Sequence, residues 1–313
     1  MDLVLLFPGQ GSQKPGMAKD LVDTLPPARE VFARVDGALG TPLSRLCFDG
    51  PADELTLTHN AQPALLTHGM AVWAAVRESV GSSVRAAAGH SLGEFTAYAA
   101  AGALELEAAA KLVRRRGELM FEAGVRRPGA MAAVLGTLSE SIDAICQRAT
   151  ADAGTVVPAN YNSPEQVVIS GEVSGVDRAM ELVKAAGAKR AVKLNVSGAF
   201  HSPLMEFAHQ GLADALRGAS FRDPAFPIYS NVSALPISTA SEAESLLLRQ
   251  LTSPVRWTDL IGRLAADHPS ALFVEMGPGS VLVGLVKRIA PQVATAACGT
   301  VAEVEQLLSR IRT

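Results

Sequence analysis

The chain has 313 residues, of which 48% are hydrophobic, enough to build one large domain or two smaller ones around a sizeable core. Its 28 lysines and arginines nearly balance 31 aspartates and glutamates, which argues against a nucleic-acid or anionic-membrane binder. The first residues lack a basic signal-peptide region, and their apolar run is too short to span a membrane, so we expect a cytoplasmic protein.

The cysteines and histidines indicate neither a disulfide framework nor a metal site. Cys47, Cys146 and Cys298 are odd in number and far apart in sequence, and no Cys or His spacing matches a known ligand set. We therefore expect no metal.

The first predicted element is a strand over residues 3–7, a continuous apolar run of the kind buried on both faces of a parallel sheet. Residues 8–13 follow as a glycine-flanked loop at the end of the sheet where α/β proteins bind ligands. Lys14 stands where a dinucleotide fingerprint needs its third glycine. The loop is therefore either an ordinary turn or one whose backbone N–H groups approach a ligand. Helices are predicted over residues 21–38 and from about 53 to 80.

Residues 89–93 read Gly-His-Ser-Leu-Gly, a G-x-S-x-G pattern that is typical of a nucleophilic serine on a sharp turn between a strand and a helix. Residues 92–101 predict that helix, and Gly102 its end. The upstream residues 84–88 are too rich in alanine to give a clear strand signal. A glycine-serine turn that only caps a helix is the alternative interpretation.

A helix predicted over residues 105–122 carries Arg114, Arg115 and Arg116 in succession. Arginines on a helix are usually solvated, but successive side chains are about 100° apart, so one of the three must point away from the others. An arginine that points inward needs an anion.

After a break at residues 126–129 the pattern changes to a smaller α+β unit. Strands are predicted at 130–135, 155–158, 166–170 and 190–194, with helices at 140–150 and 174–186. This βαββαβ order is the ferredoxin-like arrangement.

The remaining elements return to an α/β pattern. They are a strand at 226–229, a helix at 241–252 with Ser241 and Glu244 as a capping box, a helix at 257–266, a strand at 272–276, and helices at 281–289 and 301–311. The predicted fold class is α/β: a large domain with a parallel sheet (residues 1–127 and 196–313) interrupted by a ferredoxin-like subdomain (128–195).

A nucleophilic serine requires a base. His90 adjoins Ser91, but the neighbour of a serine on such a turn usually points elsewhere. His201 lies in a glycine-rich loop before a Ser-Pro turn, a place that presents polar side chains to a cleft. The sequence alone does not bring His201 to Ser91, and a structural histidine is the alternative.

A set of motifs over nearly the whole chain resembles the malonyl-CoA:acyl carrier protein transacylase family. In order they are FPGQGSQ (7–13), NAQPALL (60–66), GHSLGE (89–94), RRRGELM (114–120), NYNSPEQVVISG (160–171), GAFHSPLM (198–205), SNVSA (230–234), SPVRW (253–257) and EMGPGSVLVGLVKR (275–288). The resemblance implies a large α/β-hydrolase-like domain with a ferredoxin-like insertion.

The resemblance also implies catalytic roles. Ser91 would be acylated, and His201 would be its general base and acid, oriented by the backbone carbonyl of Gln250 in place of a carboxylate. The backbone N–H groups of Gln10 and Leu92 would form the oxyanion hole, where each donor is worth about 3 to 4 kcal/mol in the transition state.

Further residues follow from the same motifs. Arg116 would pair with the free carboxylate of malonate, and Phe200 and Met120 would shape selectivity in the acyl pocket. Three more match positions near the cleft, either as ligand contacts or as hydrogen-bonded scaffold: Gln62, Asn160 and Asn162.

The implied reaction is ping-pong transfer of malonyl from malonyl-CoA, through acyl-Ser91, to the phosphopantetheine of an acyl carrier protein in fatty acid synthesis. Neither half of this reaction needs a metal or a redox cofactor, so we expect no cofactor. We expect a monomer, with Lys189, Arg190, Lys287 and Arg288 as candidates for contact with an acidic carrier. A polyketide acyltransferase with a different carrier, a serine hydrolase and a non-catalytic carrier-binding module remain alternatives. A hydrolase predicts an acid shortly before the histidine, but acids such as Asp177 and Glu181 lie in the inserted subdomain. A binding module would lack Ser91 or His201, and both are present.

Overall fold

The computed structural model describes residues 1–312. The strands in this range are β1 (Leu3–Phe7), β2 (Val84–Gly89), β3 (Ala130–Leu135), β4 (Val156–Ser163), β5 (Gln166–Gly171), β6 (Arg190–Lys193), β7 (Ile228–Tyr229), β8 (Pro236–Ile237), β9 (Leu272–Met276) and β10 (Ala294–Cys298). The α-helices are α1 (Lys19–Thr24), α2 (Pro26–Leu39), α3 (Leu43–Asp49), α4 (Ala52–Thr56), α5 (Thr58–Val80), α6 (Leu92–Ala100), α7 (Leu106–Arg126), α8 (Ile142–Ala153), α9 (Val173–Ala185), α10 (His209–Arg217), α11 (Ala240–Gln250), α12 (Trp257–Asp267), α13 (Val281–Ile289) and α14 (Val301–Arg312).

The strands form two sheets, which confirms the predicted α/β class. The larger sheet has the order β10-β9-β1-β2-β7-β8, and all its pairs are parallel except β7 with β8. The smaller sheet has the order β4-β5-β3-β6 with antiparallel pairs, the ferredoxin-like order that βαββαβ predicts. The residue limits of the two domains remain a prediction.

The core explains why β1 is a continuous apolar run. Its five side chains are fully buried. Leu3, Leu5 and Phe7 belong to one hydrophobic cluster, whereas Val4 and Leu6 belong to another. Because side chains alternate along a strand, β1 contributes to cores on both faces of the sheet.

The prediction of one helix over residues 21–38 is wrong at Leu25, which has an extended backbone (φ −110°, ψ 111°) between α1 and α2. Pro26 follows Leu25, and the residue before a proline is disfavoured in the helical conformation. The capping box is also displaced: Thr239, not Ser241, accepts the Glu242 N–H and donates to its carboxylate at 2.7 Å. The prediction omitted α3, α10, β8 and β10.

The alanine-rich residues 84–88 do form β2, between β1 and β7. β2 leads into the serine turn (residues 89–93), which is folded so tightly that only glycine fits at its two ends. A Cβ on Gly89 would lie 1.8 Å from the carbonyl carbon of Gly93, and a Cβ on Gly93 would lie 2.0 Å from the Phe7 oxygen. The turn is therefore pressed against its own helix and against the end of β1.

Within residues 1–312, no helix combines the length and the apolar character that crossing a membrane requires.

We predict that Gly89→Ala destabilises the protein by about 3 kcal/mol or more, because the added methyl overlaps backbone atoms that cannot move aside. Gly37→Ala is the matched control. Gly37 is exposed in α2 with open space around its Cβ position, so it should gain about 0.5 to 1 kcal/mol. Urea unfolding of both variants measures the difference, and equal stability would contradict the proposed tightness of the turn.

Candidate active site

Ser91 lies at the carboxyl end of the parallel sheet, on the turn between β2 and α6. Its backbone has φ 51° and ψ −105°, a conformation that is costly for any residue with a side chain and that persists only where surrounding contacts enforce it. Asn231 supplies such contacts: its Oδ1 accepts the Ser91 N–H at 2.7 Å, and its Nδ2 donates to the Gly89 carbonyl at 2.7 Å. The Asn231 amide thus spans the turn.

The fold brings Ser91 and His201 into contact although 110 residues separate them in sequence. Ser91 Oγ lies 2.8 Å from His201 Nε2. On the other side of the ring, Nδ1 lies 2.9 Å from the Gln250 carbonyl oxygen and 3.2 Å from that of Ser253. Carbonyls only accept, so Nδ1 carries the proton and the Nε2 lone pair faces the serine hydroxyl.

The imidazole of His201 is 4% exposed. Burial is the largest cause that lowers its pKa, to about 3, and the positive charge of Arg116 acts in the same direction. The ring is therefore neutral at physiological pH and able to accept a proton from Ser91.

His90, the other histidine candidate, points away from the serine. Its Nε2 lies 2.8 Å from Asn162 Oδ1, and its ring packs against Trp257.

Of the three successive arginines, Arg116 points inward and is 1% exposed. Arg115 is exposed and pairs with Glu118 and Glu122. Arg114 is half-buried and donates to Asn60 Oδ1.

The guanidinium of Arg116 is held by neutral groups. Nη1 donates to Gln62 Oε1 at 2.8 Å, and Nη2 donates to Gln250 Oε1 at 3.0 Å and to Ser91 Oγ at 3.2 Å. Burial lowers its pKa to about 10, so it remains charged at neutral pH. Among the ion pairs of residues 1–312 none includes Arg116. The site therefore holds a buried cation beside the serine without a carboxylate in contact.

A cavity of about 390 Å³ opens above Ser91 and His201, between the two sheets. Its lining includes most of the residues that the sequence singled out: Gln10, Leu92, Arg116, Met120, Asn160, Asn162 and Phe200. Gln62 lies beneath this lining, where its amide contacts Arg116 and its Nε2 lies 3.4 Å from Met120 Sδ.

The loop after β1 is pressed against the serine turn. A Cβ on Gly9 would lie 2.5 Å from the His90 carbonyl oxygen, which places Gln10 at the same end of the cavity as Leu92. Leu92 is the first residue of α6, and N–H groups in the first turn of a helix have no acceptor within it. Both amides are therefore candidates to bind an oxygen over Ser91, and that role remains a prediction.

Sequence reasoning assigned no role to Asn231 and Glu94, although both stand in motifs quoted above. Glu94 is fully buried on α6 and accepts from Gln250 Nε2 at 2.7 Å. A polar residue inside an otherwise buried segment is the signal that could have singled them out. The sequence does not show the partners, however: Glu94 contacts Asn231, 137 residues away, and Gln250, 156 residues away.

Among residues 1–312, no three His, Cys, Asp or Glu side chains come together as metal ligands would.

Comparison with known sequences decides the family. The profile of the family described as "Acyl transferase domain" matches residues 4–307. The chain belongs to this family.

Two relatives place this acyl transferase domain among proteins of similar length. The Bacillus subtilis malonyl CoA-acyl carrier protein transacylase is 44% identical over 310 residues, 99% of this chain and 97% of that protein. The Escherichia coli K12 protein of the same name is 43% identical over 284 residues, 91% of each chain.

Solved structures of acyl transferases share the whole fold. The acyl-carrier-protein-S-malonyltransferase of Bartonella henselae has a TM-score of 0.94 at 41% identity, with all of both chains covered. A malonyl-transacylase solved in complex with its type II polyketide synthase acyl carrier protein has a TM-score of 0.93 at 40% identity, covering 99% of this chain and all of that one.

We predict that Ser91 reacts with phenylmethylsulfonyl fluoride at nearly the same rate at pH 8 and at pH 5.5. The lowered pKa of His201 keeps its imidazole neutral as the pH falls. For a histidine with the ordinary pKa of about 6.5, the neutral fraction would fall about tenfold by pH 5.5. Intact-protein mass spectrometry measures the labelling rate, with Ser91→Ala as the unlabelled control. A decline with a midpoint near pH 6.5 would contradict the assignment.

Proposed function

We propose that this acyl transferase moves a malonyl group from malonyl-CoA to the phosphopantetheine thiol of an acyl carrier protein, as an [acyl-carrier-protein] S-malonyltransferase of fatty acid synthesis. Relatives named for this activity match nearly the full chain at 38 to 44% identity. We further propose that it acts as a cytoplasmic monomer without a metal or redox cofactor.

The observation that carries the proposal is the buried Arg116 guanidinium, whose Nη2 lies 3.2 Å from Ser91 Oγ. A desolvated cation without a carboxylate partner is unfavourable, and a planar guanidinium binds a carboxylate through two parallel hydrogen bonds. An acyl group that carries a free carboxylate, such as malonyl, supplies the missing charge. Acetyl would leave the guanidinium unpaired.

In the first half-reaction Ser91 Oγ attacks the thioester carbonyl while His201 Nε2 takes its proton. The negative charge that develops on the carbonyl oxygen is stabilised by the N–H groups of Gln10 and Leu92. The C–S bond then breaks, and the CoA sulfur leaves with the proton from His201. In the second half-reaction the carrier thiol attacks the acyl-Ser91 carbonyl while His201 takes the thiol proton. The C–O bond to Ser91 then breaks, and His201 returns the proton to the serine hydroxyl.

The two carbonyls that accept from His201 Nδ1 hold the ring in the tautomer that this sequence of steps requires. They stabilise the transient imidazolium less than an aspartate would. A carbonyl is sufficient because sulfur is a much better leaving group than an amine nitrogen, so its departure depends less on the proton that His201 supplies.

Selectivity for the acyl group would come from the walls around Arg116. Phe200 and Met120 line the cavity and would restrict a substituent on the malonyl carbon, an effect worth only about 1 to 3 kcal/mol per methyl. Gln62 holds Arg116 from below, whereas Asn160 and Asn162 line the cavity from the smaller sheet and would contact the pantetheine arm.

A polyketide carrier is the second candidate acceptor. One structural neighbour was solved as a complex with a type II polyketide synthase carrier. The proposed chemistry at Ser91 is the same for either carrier.

We predict that Arg116→Ala lowers the ratio of malonyl to acetyl loading on Ser91 by about 150-fold to 5,000-fold, the equivalent of losing a buried ion pair of about 3 to 5 kcal/mol. The measurement is intact-protein mass spectrometry after brief mixing with malonyl-CoA, acetyl-CoA or methylmalonyl-CoA. Arg115→Ala is the matched control, because Arg115 is the exposed neighbour, and Ser91→Ala should form no adduct. Release of free malonate without transfer would indicate a hydrolase.

We predict that Arg288→Glu raises the KM for an acidic carrier several-fold without changing malonyl loading from CoA. Arg288 Nη1 lies 3.2 Å from Gln166 Oε1, and Gln166 lines the cavity, so the positive charge of Arg288 lies at the mouth of the cavity. Further candidates for contact with the carrier are Lys189, Arg190 and Lys287. Arg85→Glu is the control, because Arg85 is near the opposite end of β2 from Ser91. Transfer kinetics with holo carrier test this, and an unchanged KM would remove Arg288 from the interface.

A further inference from the structure

The side chain and main chain of Gln250 contact Ser91, His201 and Arg116. Its carbonyl accepts the His201 Nδ1–H, as described above. Its side-chain Oε1 accepts from Arg116 Nη2 at 3.0 Å, and its Nε2 donates to the Ser91 carbonyl oxygen at 3.0 Å. Gln250 is fully buried at the end of α11. The orientation of this one amide therefore decides whether Arg116 Nη2 finds an acceptor in Gln250.

The orientation is set by what surrounds the amide. Glu94 Oε2 and the Ser91 carbonyl only accept hydrogen bonds, and Arg116 only donates. With Nε2 towards Glu94 (2.7 Å) and Oε1 towards Arg116, every contact is satisfied. With the amide turned over, oxygen would face two oxygens and NH₂ would face the guanidinium.

Glu94 also contacts the residue that spans the serine turn. It lies on α6 one turn after Ser91, is 0% exposed, and its Oε2 accepts the Asn231 backbone N–H at 3.2 Å. The same oxygen thus anchors both Gln250 and Asn231, the two residues whose side chains hold the Ser91 main chain.

We propose that Glu94 is a positioning residue for acyl transfer: its carboxylate fixes the Gln250 amide, and through it places Arg116 beside Ser91. The proposal rests on the proposed function, because it assigns Arg116 to the malonyl carboxylate.

We expect the position of the accepting oxygen to matter more here than its charge. Glu94 Oε1 has no hydrogen-bond partner, and burial raises the pKa of this carboxyl to about 7. A proton on Oε1 leaves the contacts of Oε2 in place. A glutamine, whose single amide oxygen would occupy the place of Oε2, should therefore substitute for Glu94, whereas the shorter aspartate, which keeps the charge, should not reach Gln250.

The test compares Glu94→Gln, Glu94→Asp and Glu94→Met by the rates of malonyl and acetyl loading on Ser91. We expect the malonyl-to-acetyl ratio to stay within about 3-fold of wild type for Gln, to fall about 10-fold for Asp and to fall about 100-fold for Met, the scale of a small displacement of a reacting or binding group. Asp retaining more selectivity than Gln would overturn the proposal, as would unchanged selectivity in Met.

Glu275→Met controls for simple loss of a buried carboxylate. Glu275 is equally buried, accepts the Val283 N–H at 2.8 Å through Oε2, and also has an unpartnered Oε1, but it lies on β9 outside the site. Its variant should lose thermal stability as Glu94→Met does, while the malonyl-to-acetyl ratio remains that of wild type. An equal loss of selectivity in both Met variants would reduce Glu94 to a structural role. Absence of a malonyl adduct on the wild-type protein would overturn the proposed function and this inference together.

Discussion

The close approach of three backbone segments determines the rest of the site. Gly89 and Gly93 touch each other across the serine turn, and Gly93 touches the last residue of β1. This contact forces Ser91 into its strained backbone conformation, directs its hydroxyl out of the sheet, and brings the β1 loop alongside it. The cost of the strain is offset by hydrogen bonds from side chains that arrive from distant parts of the chain, chiefly Asn231 and Gln250.

The site also departs from the usual rule that a buried charge has an opposite charge in contact. Arg116 is surrounded by amide oxygens, a hydroxyl and the face of Phe95, 5.2 Å from its Cζ. Neutral hydrogen-bond acceptors hold the guanidinium in place without neutralising it. The same positive charge helps to keep His201 neutral, so in the proposed mechanism Arg116 would serve both the choice of substrate and the readiness of the base.

Much of this arrangement could be predicted from the sequence where the signal is local. The apolar run of β1, the tight turn at Ser91 and the inward direction of one arginine each follow from side-chain size or helical geometry. The break at Leu25 could also have been predicted, because Pro26 follows it. The contacts of Asn231 and Glu94 could not be predicted, because they depend on which distant segments the fold places behind the serine turn. Short elements show too little hydrophobic periodicity to be distinguished from loops. Examples are β8 and also β10, which is a run of small residues.

The wall of the cavity is divided between the two sheets. The hydrogen bonds that join Ser91, His201, Gln250, Arg116 and Glu94 all lie within the body of the larger sheet and its helices. Met131 and Val168, which line the opposite wall, come from strands β3 and β5 of the smaller sheet. Apolar substitutions on that wall change the width of the cavity without touching the reacting groups. The width of the cleft can therefore be altered from one side while the residues proposed for the chemistry on the other side stay fixed.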